Sequence, residues 1–311
     1  MKYYIGVDGG GTKTLYALFD ENKNCIATVK TGGCNHENLE GSYTQAAEVI
    51  MGGISQLLSE NGKTQSDISG ILMGIAGMDH PFQYEILNGL LVERGLRNFK
   101  IYNDGYIVTK AGSPDGTGIG YNCGTGTCCN SISPDGKLLQ VGGLGELSGD
   151  VGGGHWIAQQ VYIKVYDDIC LKRAETSMTK ALFEKFSLSP AREEFLSLVP
   201  RVEEFDADTV HDLIDVFFDA LNCGDAGAME ICEVMATRGA DFIAAHTKLQ
   251  KFEGDSINVV LSGSIHVKLP SQVYIEKLKK YAVEKSGKNL NFIMLNAAPV
   301  TGCINWLLEK N

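Results

Sequence analysis

Two glycine-rich turns in the chain have the composition of a phosphate-binding site. The first is Gly10-Gly11-Thr12-Lys13, and the second is Gly124-Thr125-Gly126-Thr127. Glycine lets successive backbone N–H groups converge on an anion, because no Cβ blocks the approach. The first turn is not a P-loop, since Thr12 stands where that motif requires lysine. Either turn alone could be a plain hairpin turn, whereas two that face each other across a cleft would hold a polyphosphate from both sides.

Asp8 lies at the end of the first predicted strand, immediately before the first glycine-rich turn. A carboxylate in that place would position Mg²⁺ through water, which suits a cation that gives up its hydration shell reluctantly. The alternative is that Asp8 only helps to form the turn. The pattern makes Asp8 the candidate residue for a metal ion.

Two further acids stand where a helix begins. Asp104 follows a predicted strand and precedes a helix, and Asp150 lies in a glycine-rich loop before another helix. An aspartate in such a place is commonly an N-cap, which is worth about 1 kcal/mol. It could equally be a general base that takes the proton of a substrate hydroxyl during phosphoryl transfer. The spacing of these residues leaves both interpretations open.

The overall composition excludes several classes of partner. The chain of 311 residues has a formal net charge of −11, which repels nucleic acid and anionic lipid. No stretch approaches the roughly 18 apolar residues needed to span a bilayer. Nine cysteines without a Cys-x-x-Cys pair are typical of reduced thiols in the cytosol. We therefore expect a cytoplasmic protein without nucleic-acid or membrane partners.

The predicted elements place the candidate residues at strand ends. Strand patterns at 3–7, 14–19 and 25–29 form a meander, after which helices and strands alternate. The alternating elements are helices at 42–58, 81–94 and 105–111 and strands at 68–75 and 100–103. This order predicts an α/β fold with a mixed sheet and flanking helices.

The opening meander recurs at an offset of 115, with strands at 118–123, 127–133 and 138–141. The offset matches Gly9 with Gly124 and Thr12 with Thr127, although two hairpins can also resemble each other by chance.

The rest of the chain is predicted to be mainly helical. The predicted elements are a glycine-rich loop at 142–154, a helix that follows it and ends at about 171, helical structure at 177–251, strands at 257–261 and 290–295, and helices at 271–285 and 299–308. Turn residues concentrate at 112–116, so we expect two lobes, 1–112 with 299–311 and 113–298.

These motifs occur in the order seen in the BadF/BcrA-type ATPase family, and the chain resembles its N-acetylglucosamine kinase branch over essentially its full length. The segments that carry the resemblance are 8–12, 74–77, 103–104, 124–126, 142–150, 262–264 and 297–302. The resemblance implies a two-lobed, actin-like (ribonuclease H-like) fold with a duplicated mixed sheet, closing on ATP and a sugar.

The resemblance also implies residue roles. The ATP-binding residues would be those of the two glycine-rich turns, Gly10, Gly11, Thr12, Lys13, Gly124, Thr125, Gly126 and Thr127, together with Gly263 and Ser264 under the adenosine. The sugar-binding residues would be Asn35, His36, Asp104, Gly143, Leu144, Gly145 and Asp150. Asp104 would be the base that faces the 6-hydroxyl. The chain departs from the family at Leu144, where the animal enzymes carry tryptophan.

The resemblance implies a kinase that uses ATP and Mg²⁺ to phosphorylate N-acetylglucosamine at its 6-hydroxyl. Leu144 leaves room for N-acetylmuramic acid as a second acceptor. A glucosamine kinase is the first alternative. The second is an ATP-driven activator of acyl-CoA dehydratases or reductases, although none of the cysteines falls in the cluster-binding context of those activators. A homodimer is an association that the sequence leaves open.

Overall fold

The first five-stranded sheet comes from the first third of the chain. A computed structural model describes residues 2–268 and 271–309. The strands are β1 (Tyr3–Gly9), β2 (Lys13–Asp20), β3 (Cys25–Gly32), β4 (Ile68–Ile75) and β5 (Phe99–Tyr102), in the order β3-β2-β1-β4-β5. β2 runs antiparallel to β1, whereas β4 is parallel to β1 and β5 is parallel to β4. The carboxyl ends of β1, β4 and β5 therefore lie along one edge of the sheet.

Helices cover both faces of this sheet, which explains why β1 is apolar on both sides. Ile5 and Val7 pack with helices α1 (Ser42–Glu60) and α2 (Pro81–Glu93). On the opposite face, Tyr4 of β1 packs with helix α12 (Thr301–Leu307) near the C-terminus. A strand buried on both faces in this way is typical of sheets whose crossover connections are helices.

The second sheet repeats the arrangement of the first. Its strands are β6 (Gly118–Cys123), β7 (Thr127–Ile132), β8 (Leu138–Val141), β9 (Ile257–Ser262) and β10 (Leu290–Met294), in the order β10-β9-β6-β7-β8. Each strand takes the place of its counterpart in the first sheet, with β6 in the position of β1. The predicted α/β fold class with a duplicated mixed sheet is confirmed.

The two glycine-rich turns differ in length, so the predicted equivalence of Thr12 and Thr127 is wrong. In the first hairpin Gly9 pairs with Thr14, and Thr12 lies in the connection between them. In the second hairpin Cys123 pairs directly with Thr127, which is the first residue of β7. The second connection is one residue shorter than the first. An offset taken from the glycines therefore matches a loop residue with a strand residue.

The remaining helices fill the second half of the chain. Helix α3 (Asp104–Gly112) follows β5, and α4 (Gly154–Ile169) follows the glycine-rich loop. The segment predicted to be helical at 177–251 consists of α5 (Ser177–Lys185), α6 (Arg192–Leu196), α7 (Val199–Glu203), α8 (Ala207–Asn222) and α9 (Ala226–Leu249). A short helix that the sequence did not predict, α10 (Ser264–Val267), follows β9, and α11 (Gln272–Ser286) precedes β10. None of the helices in the described ranges is both long enough and apolar enough to cross a bilayer.

Helix α3 lies between the two sheets. Ile107 packs with Leu72 of the first sheet, and Val108 packs with Val260 of the second. Cys303 of α12 belongs to the same cluster as Ile107, so the C-terminal helix joins α3 against the first sheet. The lobe limits themselves, 1–112 with 299–311 and 113–298, stay a prediction, and Met1, Leu269, Pro270, Lys310 and Asn311 lie outside the described residues.

Candidate active site

Asparagine, and not aspartate, caps helix α3. The side-chain oxygen of Asn103 accepts a hydrogen bond from the backbone N–H of Gly105 at 2.9 Å. Asp104 is the first residue of the helix, one position after the cap. The interpretation of Asp104 as the N-cap is therefore wrong, because its neighbour already meets that requirement. The Asp104 carboxylate is therefore not needed as the cap of α3.

The setting of Asp104 suits a general base. Burial raises the pKa of its carboxyl to about 7, and the negative charges of Asp8 and Asp79 raise it further in the same direction. The N–H groups at the start of α3 oppose this shift. A base works best when its pKa lies near the working pH, because it must both accept and release a proton. A perturbed acid in an acidic surrounding is also a common mark of a functional site.

Asp8 lies at the edge where the first glycine-rich turn begins. It pairs in the sheet with Leu15 on β2 and with Gly74 on β4. Burial raises the pKa of its carboxyl to about 6, and the charge of Lys13 offsets part of that rise. Burial and the charge of Lys13 are the influences on its pKa, and no hydrogen bond from another described residue is among them. The carboxylate is therefore available to a cation.

The donor set around Asp8 fits a metal ion that keeps most of its water. Within the described part of the chain, no three His, Cys, Asp or Glu side chains lie together in a way that would hold a metal directly. Mg²⁺ commonly binds through one or two carboxylates, with water and phosphate oxygens supplying its other ligands. Asp8 beside the first glycine-rich turn matches that mode, and the roles of the turn toward phosphate and of Asp8 toward Mg²⁺ stay predictions.

The second glycine-rich turn is open to a ligand. Apart from each glycine itself and its two neighbours in the chain, no atom of the described residues lies within 4 Å of the position that a Cβ would take at Gly124 or Gly126. The carbonyl oxygen of Gly124 accepts a hydrogen bond from the N–H of Gly154 at 2.8 Å, which ties the turn to the start of α4. The hydroxyl of Thr127 is buried and has no partner among the described residues. An open, anchored turn of this kind can present backbone N–H groups to phosphate.

The predicted adenosine loop lies beside this turn. Gly263 has a φ of 87°, and a Cβ there would come within 2.1 Å of the carbonyl oxygen of Cys123, the residue before Gly124. Only glycine allows this contact between the two loops. Ser264 begins the short helix α10. Gly263 therefore lies next to the second glycine-rich turn, and the roles of Gly263 and Ser264 toward ATP stay a prediction.

The predicted sugar pair Asn35-His36 lies against the loop that follows β4. The Asn35 backbone N–H donates to the carbonyl oxygen of Gly10, so the pair also contacts the first glycine-rich turn. Gly77 has a φ of 76°, and a Cβ there would lie 2.3 Å from the Asn35 side-chain oxygen. His36 is buried and stacked on Tyr43 with ring centroids 3.9 Å apart. Burial lowers the pKa of His36, which favours the neutral imidazole.

Asp150 is not a helix cap either, because α4 begins four residues later at Gly154. One carboxylate oxygen of Asp150 accepts a hydrogen bond from the N–H of Gly145 at 2.8 Å, while the other is buried without a partner among the described residues. Burial raises the pKa of this carboxyl, and the charge of Arg238 lowers it in part. A buried oxygen without a partner is costly. It is therefore a candidate acceptor for a ligand hydroxyl.

The other predicted sugar residues lie in the loop that Asp150 closes. Gly143 and Gly145 both have positive φ angles, of 84° and 65°. Leu144 between them is 46% exposed. Ser148 supports the loop, because its hydroxyl accepts a hydrogen bond from the N–H of Leu144 at 3.0 Å. The loop therefore presents a leucine side chain to solvent.

The sequence prediction missed one acid, Asp79. It follows β4 and contributes to the raised pKa of Asp104. Its Oδ1 accepts hydrogen bonds from Asn103 Nδ2 at 3.0 Å and from Gln140 Nε2 at 2.6 Å. The signal in the sequence was an acid just after a buried strand. To connect Asp79 with Asp104, one must know that β4 and β5 are parallel neighbours, whose carboxyl ends meet at one edge of the sheet.

A model of the BadF/BadG/BcrA/BcrD ATPase family matches residues 5–302. The chain belongs to this family. The match spans both sheets and the loops that carry Asp8, Asp104 and Asp150, so the resemblance seen in the sequence is confirmed.

Two curated relatives are N-acetyl-sugar kinases by description. The chain is 25% identical over 197 residues to the N-acetyl-D-glucosamine kinase of Dictyostelium discoideum, which covers 60% of this chain and 61% of the relative. It is 28% identical over 207 residues to the N-acetylmuramic acid/N-acetylglucosamine kinase of Clostridium acetobutylicum, which covers 65% of each. The matched regions thus span less than two thirds of either relative's own length.

The fold of this chain is also seen in a solved structure. The structure of a candidate N-acetylglucosamine kinase from Chromobacterium violaceum matches with a TM-score of 0.72 at 19% identity and covers 99% of both chains. At this identity the likeness concerns the fold alone. Together with the duplicated strand order, it confirms the two-lobed actin-like architecture.

Proposed function

We propose that this chain is an amino-sugar kinase that transfers the γ-phosphoryl group of ATP to the 6-hydroxyl of N-acetylglucosamine, with N-acetylmuramic acid as a second acceptor. The observation that carries the proposal is Asp104, whose carboxylate is freed from capping by Asn103 and whose pKa is raised to about 7. Membership of an ATPase family supports the donor, and the descriptions of the two curated relatives support the acceptor. Release of ADP that depends on an amino sugar tests it, and ADP release that no sugar stimulates would contradict it.

Asp104 would act as the base toward the acceptor. Its carboxylate accepts the proton of the 6-hydroxyl as the oxygen attacks phosphorus, and the bond from phosphorus to the bridging oxygen of ADP breaks. Positioning and electrostatics supply most of the acceleration in such a transfer. The two glycine-rich turns would hold the phosphates by their backbone N–H groups. Gly263 and Ser264 would lie under the adenosine.

Asp8 would hold Mg²⁺ through water. The ion, when bound, would neutralise charge on the transferred phosphoryl group and on the leaving ADP. Lys13 lies close enough to oppose the rise in the pKa of Asp8, so this end of the cleft also carries a positive charge. The combination fits the binding of a polyphosphate by an acidic chain with a formal net charge of −11.

The sugar would be held on the side of the cleft formed by Asn35, His36 and the loop that ends at Asp150. The unpartnered oxygen of Asp150 and the unpartnered Nδ1 of neutral His36 would each accept a hydrogen bond from a hydroxyl. Buried acceptors that are matched by a ligand discriminate strongly against analogues that lack the donor. Gly143 and Gly145 would let the loop backbone approach the sugar ring.

The rate should depend on the protonation of Asp104. Because a base must be ionised to act, we expect kcat/KM to be highest above pH 7 and to fall as the pH drops through about 7, the raised pKa of this carboxyl. The profile of kcat/KM reports groups of the free enzyme. Asp79→Asn removes one of the negative charges that raise this pKa, so its profile should fall at a lower pH. A profile that falls only near pH 4, as for an ordinary aspartate, would contradict this role.

Leu144 should set the balance between acceptors. Leu144→Trp adds contact area, and about 80 Å² of additional contact is worth about 2 kcal/mol at ~25 cal/mol per Å². We expect the variant to bind N-acetylglucosamine more tightly and to lose turnover of N-acetylmuramic acid, whose 3-substituent needs the space. Leu147→Trp is the matched control, because Leu147 lies in the same loop and is 97% exposed. Equal changes for both sugars, or no wild-type turnover of N-acetylmuramic acid, would show that Leu144 does not select the acceptor.

A further inference from the structure

One oxygen of Asp79 connects the ends of two strands that belong to different sheets. Asp79 Oδ1 accepts from Asn103 Nδ2, at the end of β5 in the first sheet, and from Gln140 Nε2 on β8 of the second sheet. Hydrogen bonds to a carboxylate are about twice as strong as those between neutral groups. Asp79 is therefore a firm link between the two halves of the molecule at the candidate site.

The link continues through Asn103 into β7. Asn103 Oδ1 accepts from the N–H of Gly105 at 2.9 Å and from Asn130 Nδ2 at 3.2 Å. Asp79, Asn103, Asn130 and Gln140 thus form one chain of hydrogen bonds, here called the cleft network. Asn103 and Asn130 are each at most 2% exposed, so water cannot easily replace these bonds. Such a chain fixes the orientation of its members.

Asp79 itself is held rigidly by helix α2. Gln83 Oε1 accepts from the backbone N–H groups of Asp79 at 2.7 Å and of His80 at 2.6 Å. The Tyr84 hydroxyl donates to the carbonyl oxygen of Met78 at 2.6 Å. These bonds fix the backbone around Asp79, so its side chain can hold Asn103 and Gln140 in defined positions.

The partners of Asp79 adjoin residues of the proposed kinase site on both sides. Asn103 directly precedes Asp104, and Gln140 lies on the strand that leads into the loop of Leu144 and Asp150. We infer that Asp79 is a positioning residue for phosphoryl transfer. Through a single carboxylate oxygen it holds the base Asp104 and the sugar-binding loop in fixed positions relative to each other. The inference rests on the proposed function and adds a residue that acts through others.

Two substitutions separate position from charge. Asp79→Ala removes the accepting oxygen, and because misplacement of a reacting group by about 1 Å can cost about 10²-fold, we expect kcat/KM for the sugar to fall about 10- to 100-fold. The loss should fall on kcat and the sugar KM and leave the ATP KM unchanged. Asp79→Asn keeps an accepting oxygen without the charge, so it should stay within about fivefold of the wild type. If Asp79→Asn is as damaging as Asp79→Ala, position is not the role of Asp79.

A double-mutant cycle tests whether Asp79 and Gln140 act together. Gln140→Leu removes the donor and should lower kcat/KM for the sugar in the same way as Asp79→Ala. Because residues that act as a unit are not additive, the double variant should be no worse than the more damaging single variant. Losses that multiply would overturn the inference, as would Asp79→Ala with normal kcat and sugar KM.

A control and a substrate-free measurement complete the test. Asp225→Asn is the matched control, because Asp225 also accepts several hydrogen bonds, at the start of α9, but its partners Thr176, Ser177 and Ala228 are outside the candidate site. It should lower Tm and leave kcat unchanged.

Amide hydrogen exchange at Gly105, whose N–H is held by Asn103, should accelerate in Asp79→Ala but not in Asp225→Asn. Unchanged exchange would overturn the inference. A wild type inactive on every sugar, with accelerated exchange in Asp79→Ala, would instead reject the proposed function while retaining the hold of Asp79 on Asn103.

Discussion

Asp104→Asn is expected to lower turnover by about 10²- to 10⁴-fold, the usual contribution of a positioned general base. The substitution keeps the shape of the side chain and removes the group that accepts the proton. ATP binding should be nearly unchanged, because in the proposed site the glycine-rich turns and the metal ion, and not Asp104, would hold the phosphates. Steady-state kinetics with the amino sugar and a separate ATP-binding titration measure the two effects.

The same variant should not lose stability. Since the pKa of Asp104 in the folded chain is raised from an ordinary value of 3.8 to about 7, its ionised form opposes folding, and this cost grows between about pH 4 and 7. Asp104→Asn should therefore have a higher Tm than the wild type at pH 8 and a similar Tm at pH 4.

The control is Asp206→Ala, which removes a true N-cap that accepts from the N–H of Thr209 at 3.0 Å. It should cost about 1 kcal/mol of stability and leave turnover intact. A lower Tm with normal turnover in Asp104→Asn would show that Asp104 only supports the helix.

Removal of Mg²⁺ is expected to abolish turnover, and Asp8→Asn is expected to reduce the use of Mg-ATP by about 10²-fold or more, since metal-assisted charge stabilisation supplies several kcal/mol. The chain has no P-loop lysine with which to neutralise a triphosphate. Titration of activity with Mg²⁺ measures the effect, and the variant should need more Mg²⁺ for half-maximal activity.

Asp20→Asn is the matched control for Asp8→Asn. Asp20 belongs to the same sheet but pairs with Tyr3, at the end of β1 away from the turn, and its carboxylate accepts from the N–H groups of Asn22 and Asn24. Its substitution should lower stability without changing the requirement for Mg²⁺. Full activity in excess EDTA would contradict the role of the metal.

The pattern of apolar residues was enough to predict most of the fold. The bounds of β4, β6 and β8 agree with the predicted strands to the residue, because short runs of mostly apolar residues between turn residues have few alternatives. The duplication was visible through its glycine-rich turns. The sequence could not show how the two hairpins align residue by residue. One connection is a residue shorter than the other, and a sequence offset does not show which residues pair with each other in a hairpin.

The site was predicted less completely, and the reasons are local. Asp104 and Asn103 are both good N-caps, so the sequence could not show that Asn103 takes that place. Asp79 was missed because its hydrogen bond with Gln140 joins residues that are 61 positions apart, one after β4 of the first sheet and the other on β8 of the second. Contacts of that kind come from the packing of the two halves. The sequence predicted Asp150 as a site residue, but only the structure shows that one of its carboxylate oxygens binds Gly145 while the other has no partner among the described residues.

The most direct test of the proposed function is the release of ADP by the purified chain with ATP, Mg²⁺ and one sugar at a time, followed by identification of the phosphorylated position. The sugars are N-acetylglucosamine, N-acetylmuramic acid, glucosamine and glucose, with a reaction that contains no sugar as the baseline. We predict the fastest release with N-acetylglucosamine, measurable release with N-acetylmuramic acid, and phosphate on the 6-hydroxyl of both. Equal ADP release with and without sugar, or phosphate on a different hydroxyl, would contradict the proposed function.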